Sequence, residues 1–421
     1  MRVWIDATSG SGGLPLFGMP LVEYLLRGLL ASGTEFEWVR IELPADAPIP
    51  KWFSTELQAA LPLQWSRGDW SLGSRLQHAL QDAAGEPLIA LSADCVVDPR
   101  LINHLASGEG NIAFFSEADP ADGALLRLEQ ELPEVAEDDS SLVAIARRAI
   151  RSGLAKEFSG SQFDRHVVAL RREVPPYLMR VHDGESCNRA ERFLFQINYK
   201  GSTDFMTSHV YPPLVWLMVR PLARWRVHPH WITALDILLA FGVVPIFAAG
   251  AWLPGLVLAY LMTVLDSVDG KLARLTHRTS KLGEILDHGT DILHPPLWYL
   301  AWGFALAGGD LSATAFTLSL WMFGLYAADR LCPLLFMWRT GRSIHGFRPL
   351  DRRVRTFVSR RNVNLPVFTL ALVLDVLVPG VGFALPAFAL IVAWQAACLV
   401  FHVARVARFW SDAGASHARA A

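Results

Sequence analysis

Asp266-Ser-Val-Asp269-Gly270-Lys271-Leu-Ala273-Arg274, followed by Gly283, Asp287 and Asp291, sets four carboxylates where one apolar stretch ends and the next begins. Charged side chains at bilayer depth are costly and mark sites or ion paths. Asp266 and Asp269 are three residues apart, Asp287 and Asp291 four apart, so on helices each pair shares a face. The short turn from Thr276 to Lys281 predicts antiparallel neighbouring helices whose acidic pairs converge. Carboxylates crowded together need cations, and oxygen-only donors select Mg²⁺ or Mn²⁺ over zinc. Two such ions, roughly 4 Å apart, clamp a diphosphate. Gly270 lets backbone or ligand come close, Gly283 lets the two helices touch, Ala273 keeps the surface shallow and Arg274 offers a phosphate a fixed cation.

Outward from this stretch, apolar runs recur from Trp231 onward, each near the ~20 residues that a bilayer requires. The expected spans are six: 231–249, 252–268, 284–306, 312–337, 363–380 and 383–407. The loops near 250, 308 and 381 carry no Lys or Arg. The opposite side carries Arg220, Arg224, Arg226, Lys271, Arg274, Arg278, Lys281, the run Arg339–Arg361, Arg405 and Arg408. The positive-inside rule then places both termini and the four aspartates at the cytosolic face of an inner membrane. Trp252, Trp298, Trp338 and Trp410 fit interfacial belts, and residues 209–225 read as an amphipathic helix opened by Pro212-Pro213, basic face to the headgroups.

Residues 1–190 read differently. A short apolar strand at Arg2–Ile5 leads into the glycine-rich turn Ser9-Gly-Ser-Gly-Gly13. Leu21, Leu25, Leu29 and Leu30 line one face of a helix ending near Gly33. A strand over Phe36–Leu43, a helix over Leu72–Ala84 and a buried strand over Pro87–Ala93 follow. This alternation predicts a doubly wound α/β sheet, with Asp94 and Asp98 at the carboxyl end of a strand, where such sheets place ligands. The acidic stretch Glu131–Asp139 reads as a solvated loop. Residues 191–228 read as linker and interfacial helix, 229–410 as the membrane domain and 411–421 as a tail.

Composition agrees: hydrophobic residues are 52% and charged residues 19%, and a net charge of −2 offers nothing to a nucleic acid. Cys95, Cys187, Cys332 and Cys398 have neither metal nor disulfide spacing and read as reduced, buried thiols. Met1-Arg-Val-Trp-Ile-Asp6 is too quickly polar for a cleaved signal, so the N-terminus is expected to stay cytosolic.

Gap for gap, D-x2-D-G-x2-A-R-x8-G-x3-D-x3-D resembles the signature of the CDP-alcohol phosphotransferases, membrane enzymes that join two alcohols through a phosphodiester and release CMP. The resemblance covers about 200–408. It implies that Asp266, Asp269 and Asp287 ligate divalent metal, and that Asp291 is the base on the acceptor hydroxyl and a possible ligand. It further implies that Gly270, Ala273, Arg274 and Gly283 hold the CDP portion, that the lipid end enters from the bilayer, and that the protein is a homodimer. Pro229-His230-Trp-Ile-Thr233, where the family commonly has Pro-Asn, and Pro212-Pro213, where many members carry Arg, bear on the acceptor's identity. The first 190 residues resemble GT-A-type nucleotidyltransferases through the glycine turn, Gly18-Met-Pro-Leu-Val22 and Leu91-Ser-Ala-Asp94-Cys-Val-Val-Asp98, but Gly12–Phe17 has no Lys or Arg for a triphosphate.

Several residues keep two readings. His228 and His230 are headgroup-level side chains rather than metal ligands. Asp236 either points at the site or pairs with a basic neighbour. His294 shares a face with Asp287 and Asp291, where Pro295-Pro296 is expected to bend the helix, and borders the pocket. Arg342, Arg348, Arg352, Arg353, Arg355 and Arg360 set orientation and touch anionic lipid, with one or two free to bind a phosphorylated acceptor. The main functional expectation is phosphotransfer in phospholipid synthesis. The alternatives are a bifunctional enzyme whose first domain makes the CDP-alcohol, and an ion-coupled transporter.

Overall fold

Along β1 (Arg2–Asp6), Val3 and Ile5 face one way and Trp4 the other, and all three are fully buried. A strand covered on both faces belongs at the centre of a sheet. The computed structural model describes residues 1–48, 55–117, 119, 123–129, 141–167, 170–201, 203–341, 344–346 and 349–418, without the side chains of Thr55 and 411–418. The expected loop at Glu131–Asp139, and Arg342 and Arg348, lie outside the described residues.

The other strands of the sheet are β2 (Trp38–Leu43), β3 (Leu63–Arg67), β4 (Leu88–Ser92), β5 (Ile112–Phe115), β6 (Ala124–Leu128) and β7 (Lys156–Glu157). Their order is β7-β5-β6-β4-β1-β2-β3. β1 pairs in parallel with β2 and β4, while β6 runs antiparallel to β4 and β5. Helices α1 (Leu21–Ala31) and α2 (Pro99–Ser107) cover the Val3/Ile5 face; Leu72–Ala83 and Leu142–Arg151 cover the Trp4 face. The α/β expectation holds, with a mixed sheet. Leu30 turns out 37% exposed, so Leu21, Leu25, Leu26 and Leu29 make the buried face of α1.

The second half is helical: α3 (Gly184–Ile197), α4 (Tyr211–Arg224), α5 (Pro229–Ala248), α6 (Trp252–Leu275), α7 (Lys281–Leu306), α8 (Thr314–Thr340), α9 (Arg361–Leu377) and α10 (Ala384–Ala418). Six of these correspond to the expected spans. Among the described residues four, α5, α6, α8 and α10, are long and apolar enough to cross a membrane. α9 has only 17 residues, and α7 carries Lys281, Glu284, Asp287 and Asp291 in its first half. Leu238, Leu253, Val257, Leu370, Val376, Leu390 and Val400 are all more than half exposed on these helices, the outward apolar surface of a membrane protein. Trp298 is not in an interfacial belt. It is 1% exposed and donates from Nε1 to the Ala240 carbonyl at 2.7 Å. Trp302 stacks on Phe368 beside it, with ring centroids 4.1 Å apart. The four cysteines are free and buried, as expected.

The two halves are joined by buried acids rather than by the linker alone. Glu191 of α3 is fully buried. It accepts from Phe17 N at 3.0 Å and Arg220 Nε at 2.8 Å, with Arg224 3.6 Å away. Glu23 of α1, also fully buried, pairs with Arg27 and with Arg226 at 3.0 Å. The basic residues of α4 therefore face the α/β domain, not lipid headgroups, because two desolvated carboxylates need them more. At Gly18, φ is +75° and a Cβ would sit 2.5 Å from the Arg224 backbone, so only glycine admits this contact.

Replacing Glu191 with Ala strands Arg220 and Arg224 and should cost about 2–3 kcal/mol, reduced from the fully buried case because both arginines are partly exposed. The thermal unfolding midpoint should fall, whereas Glu185→Ala, in an exposed pair with Arg189, should leave it unchanged. A pH effect follows from His277, in the α6–α7 turn and edge-on to Tyr24 at 4.8 Å. Burial, then Arg27, push its pKa from 6.5 down to about 4. The unfolded chain takes the proton first, so stability should be full above about pH 6.5 and fall as pH drops toward 4. In His277→Leu, denaturation profiles should lose that part of the acid dependence.

Candidate functional site

The acidic motif is built from the ends of α6 and α7, but the two helices are not each other's main neighbours. Each packs chiefly on α5, which runs between them, and α7 also on α8. Gly283 accordingly serves a different contact from the expected one. A Cβ there would lie 3.7 Å from His230 Nε2 of α5, not against α6. Ser280 caps α7 by accepting from Gly283 N at 3.0 Å and also bonds His230 Nε2 at 2.8 Å. His228 caps α5, accepting from His230 N. Both histidines thus help fix the starts of α5 and α7.

Arg361, at the start of α9, holds the site together. Its Nη2 donates to Asp266 Oδ2 at 2.9 Å; its Nη1 lies 2.7 Å from His294 Nε2 and 3.4 Å from Asp291 Oδ1. Arg361 is 8% exposed, and its planar fork suits two carboxylates at once. His294 places Nδ1 2.6 Å from the Thr290 carbonyl, which assigns the Nδ1–H tautomer and leaves Nε2 to accept from the guanidinium. His294 therefore lies against Arg361, next to Asp291. α7 runs continuously through Pro295-Pro296. Pro295 has no N–H, so the Asp291 carbonyl loses its helical partner, and Tyr326 OH of α8 donates to it instead at 3.1 Å.

Asp269 is 5% exposed and accepts from Thr233 Oγ1 of α5 at 3.0 Å and from Gly270 N at 2.5 Å. Asp287 lies one turn before Asp291 and is a third exposed, while Asp291 is about half exposed. Asp236 of α5 is 4% exposed, and its Oδ1 has no hydrogen-bond partner. It stands within electrostatic reach of Arg361, Asp269, Asp291 and Asp287. A Cβ on Gly270 would press on Arg274 Nη1 at 3.2 Å. The glycine thus leaves room for that guanidinium, whose Nε is buried without a partner and which lies near Asp269 and Asp287. Ala273 is half-buried beside it.

Among the described residues no three Asp, Glu, His or Cys side chains are grouped closely enough to hold a metal ion. The donors themselves suit one. They are carboxylate oxygens only, and Asp236 Oδ1 is a buried acceptor with nothing to accept, the chemistry of a hard divalent cation.

Asp94 and Asp98 lie elsewhere and are already committed. Asp94 is fully buried and pairs with Arg180 at 2.8 Å. Asp98 caps α2 through Arg100 N and binds the Arg100 guanidinium at 2.6 Å. Neither is placed to act as a ligand residue. Arg361 and Thr233 are the residues that sequence reasoning missed. Lys271 is a third, 3% exposed with Nζ over the Tyr199 ring. The nearest sequence signal was the arginine run 339–361, which does not single out its last member.

Residues 226–399 match the CDP-alcohol phosphatidyltransferase family model. Members of the family are phosphotransferases that use divalent metal. The chain is 32% identical over 139 residues to a bifunctional IPC transferase and DIPP synthase of Thermococcus kodakarensis, covering 30% of this chain and 32% of that protein. It is 46% identical over 54 residues to choline/ethanolaminephosphotransferase 2 of Arabidopsis thaliana, 13% and 14% of the two chains. The match therefore spans about a third of the first relative and about a seventh of the second. Among solved structures, a putative glucose-1-phosphate thymidylyltransferase from Bacillus anthracis aligns at 11% identity and TM-score 0.34, over 46% of this chain and 94% of that one. A UDP-glucose pyrophosphorylase aligns at 10% and 0.33, over 46% and 98%.

Removing the Arg361 charge leaves Asp266 and Asp291 facing each other in a half-buried site. Arg361→Met should cost about 3 kcal/mol in metal-free protein. Unfolding midpoints measured in chelator and in Mg²⁺ should show the larger loss in chelator.

Proposed function

We propose that the chain is an integral membrane CDP-alcohol phosphotransferase. It transfers the substituted phosphate of a CDP-alcohol of the CDP-diacylglycerol kind to an acceptor alcohol and releases CMP, in phospholipid synthesis. The observation that carries this reading is the complete acidic motif inside residues 226–399, with carboxylates of three helices gathered beside Arg361. In this reading residues 1–190 are the α/β domain, 191–228 the linker and interfacial helix, 229–410 a six-helix membrane domain and 411–421 a tail. The termini and site face the cytosol, and the protein is a homodimer, as the family resemblance implies.

Asp266, Asp269 and Asp287 hold the divalent cations, with Asp291 as an added ligand. Two ions, Mg²⁺ or Mn²⁺, neutralise the diphosphate and polarise its phosphorus when bound. Gly270, Ala273, Arg274 and Gly283 frame the CDP portion. Arg274, with an Nε that has no protein partner, is aimed at a phosphate oxygen. Asp291, the most exposed of the four, takes the acceptor's hydroxyl proton. The acceptor oxygen bonds the β-phosphorus, the bond from that phosphorus to the bridging oxygen breaks, and CMP leaves with the bridging oxygen. Arg361, itself held by His294, orients Asp291 for this from 3.4 Å. The acceptor enters from the side of Arg330, Arg355 and Arg360, whose charges suit a phosphorylated alcohol.

A second reading makes the protein bifunctional, the α/β domain supplying the CDP-alcohol. It draws on the α/β sheet and on the printed name of the Thermococcus relative. Against it, Gly12–Phe17 offers no cation to a triphosphate, and Phe17 and Gly18 are engaged with α3 and α4. Pyrophosphate release from CTP and sugar phosphates by the full chain would favour it. An ion-coupled transporter would show neither metal dependence nor CMP.

Asp291→Asn tests the base directly. With Mg²⁺, vesicles containing CDP-diacylglycerol and a panel of alcohols and their phosphates, CMP release should fall roughly a hundredfold or more, with CDP binding retained. Undiminished release would exclude Asp291 as base.

A further inference from the structure

Among the described residues, three guanidiniums near the site have no carboxylate paired with them. Arg355 is 5% exposed, yet its Nε and Nη1 are buried without any hydrogen-bond partner. The Nε atoms of Arg330 and Arg360 are in the same state. Arg355 lies within electrostatic reach of Arg360, Arg330 and a fourth arginine, Arg171. The closest acids do little to offset them. Asp204 already accepts from Thr207 and from Asn362 at 3.2 Å, and Asp291 faces Arg361. Burying unpaired like charges together is unfavourable unless an anion joins them.

Arg171 is not part of the membrane domain. It directly precedes Arg172–Glu173, the strand that pairs antiparallel with His166–Val167 in the α/β domain, and its φ is +52°, a strained conformation for a residue with a side chain. The neighbouring chain fixes it there. Gly201 N donates to Leu170 O at 2.8 Å, and a Cβ on Gly201 would lie 2.8 Å from the Arg171 carbonyl. The same segment then crosses to the membrane domain, where Phe205 N donates to Thr356 O at 3.0 Å. The residue before Arg171 is thus hydrogen-bonded to a segment that is itself bonded to the turn beside Arg355. His345 also lies beside Arg355 and Arg171.

We propose that Arg171 of the α/β domain completes, with Arg330, Arg355 and Arg360, a subsite for the phosphate monoester of the acceptor, so that the appended domain forms one wall of the membrane active site. The proposal rests on the phosphotransferase reading and deepens it. It explains why the α/β domain is docked by buried Glu191 and Glu23 rather than left on a free linker. It also accounts for a strained residue and several orphaned N–H groups with one ligand. A monoester at that place is either a soluble acceptor's phosphate or a lipid headgroup such as phosphatidic acid, and the acceptor role requires the soluble source.

The test uses the full chain in phosphatidylcholine nanodiscs and calorimetric titration with two probes: inorganic phosphate, and CDP with Mg²⁺. Arg171→Gln and Arg355→Gln should each weaken phosphate binding roughly tenfold or more, the loss of a charged hydrogen bond. Their affinity for CDP should be unchanged, which also shows that they fold. Arg171→Lys, which keeps the charge but not the fork, should retain part of the phosphate affinity. Phosphate binding that is absent in the wild type, or indifferent to Arg171→Gln, overturns the proposal while leaving the phosphotransferase reading intact. Absence of CDP binding in the wild type strikes that reading instead. Discs containing phosphatidic acid separate the sources: unchanged phosphate affinity supports the soluble ligand, and its abolition assigns the subsite to lipid and overturns the acceptor role.

Discussion

A carboxylate at membrane depth must have a cation within reach, and Arg361 is the permanent one. Its fork joins Asp266 of α6 to Asp291 of α7, with His294 accepting on the same nitrogen that faces Asp291. This single guanidinium ties the start of α9 to two helices that scarcely touch each other. The surrounding details follow from it. Pro295 removes an N–H beneath Asp291, and Tyr326 makes up the loss from α8. The acidic cluster is then rigid on three sides and open where Asp291 and Asp287 meet solvent. Arg361 and Arg274 together do not balance five acids, counting Asp236. In the proposed function, that remaining negative charge would hold divalent cations and, through them, a diphosphate.

The same electrostatic rule docks the α/β domain. Glu23 and Glu191 are fully buried and meet Arg226, Arg220 and Arg224 from the helix that precedes the first span. Phe17 and Gly18, near the glycine-rich turn, are engaged in that contact. A domain whose topology would allow ligand binding at the ends of its strands has instead turned part of that edge toward the membrane half. Asp94 and Asp98 show the same change of use, since each is neutralised by a nearby arginine.

Much of this was legible in the sequence. The alternation of Val3, Trp4 and Ile5 marks a central strand, the apolar run of β4 marks its neighbour, and the lengths of the later runs mark the helices. The acidic motif was readable because its spacing obeys the helical period within each segment. What could not be read depends on long-range packing. Arg361 lies 95 residues from Asp266 at the end of a basic run in which nothing local distinguishes it. Spacing alone gives no reason for α5 to run between α6 and α7, which is why Gly283 meets His230 instead of α6. The basic face of α4 resembled a headgroup-binding surface because Glu23 and Glu191 are remote in sequence. Trp298 resembled a belt residue because its distance from the span end says nothing about which face it occupies.

The most direct measurement is of Mn²⁺ bound to the full chain in nanodiscs, by electron paramagnetic resonance, with and without CDP. The account predicts tight binding that CDP strengthens and that Asp269→Asn or Asp287→Asn abolishes. Mn²⁺ binding that is absent, or the same in those variants as in the wild type, would contradict it.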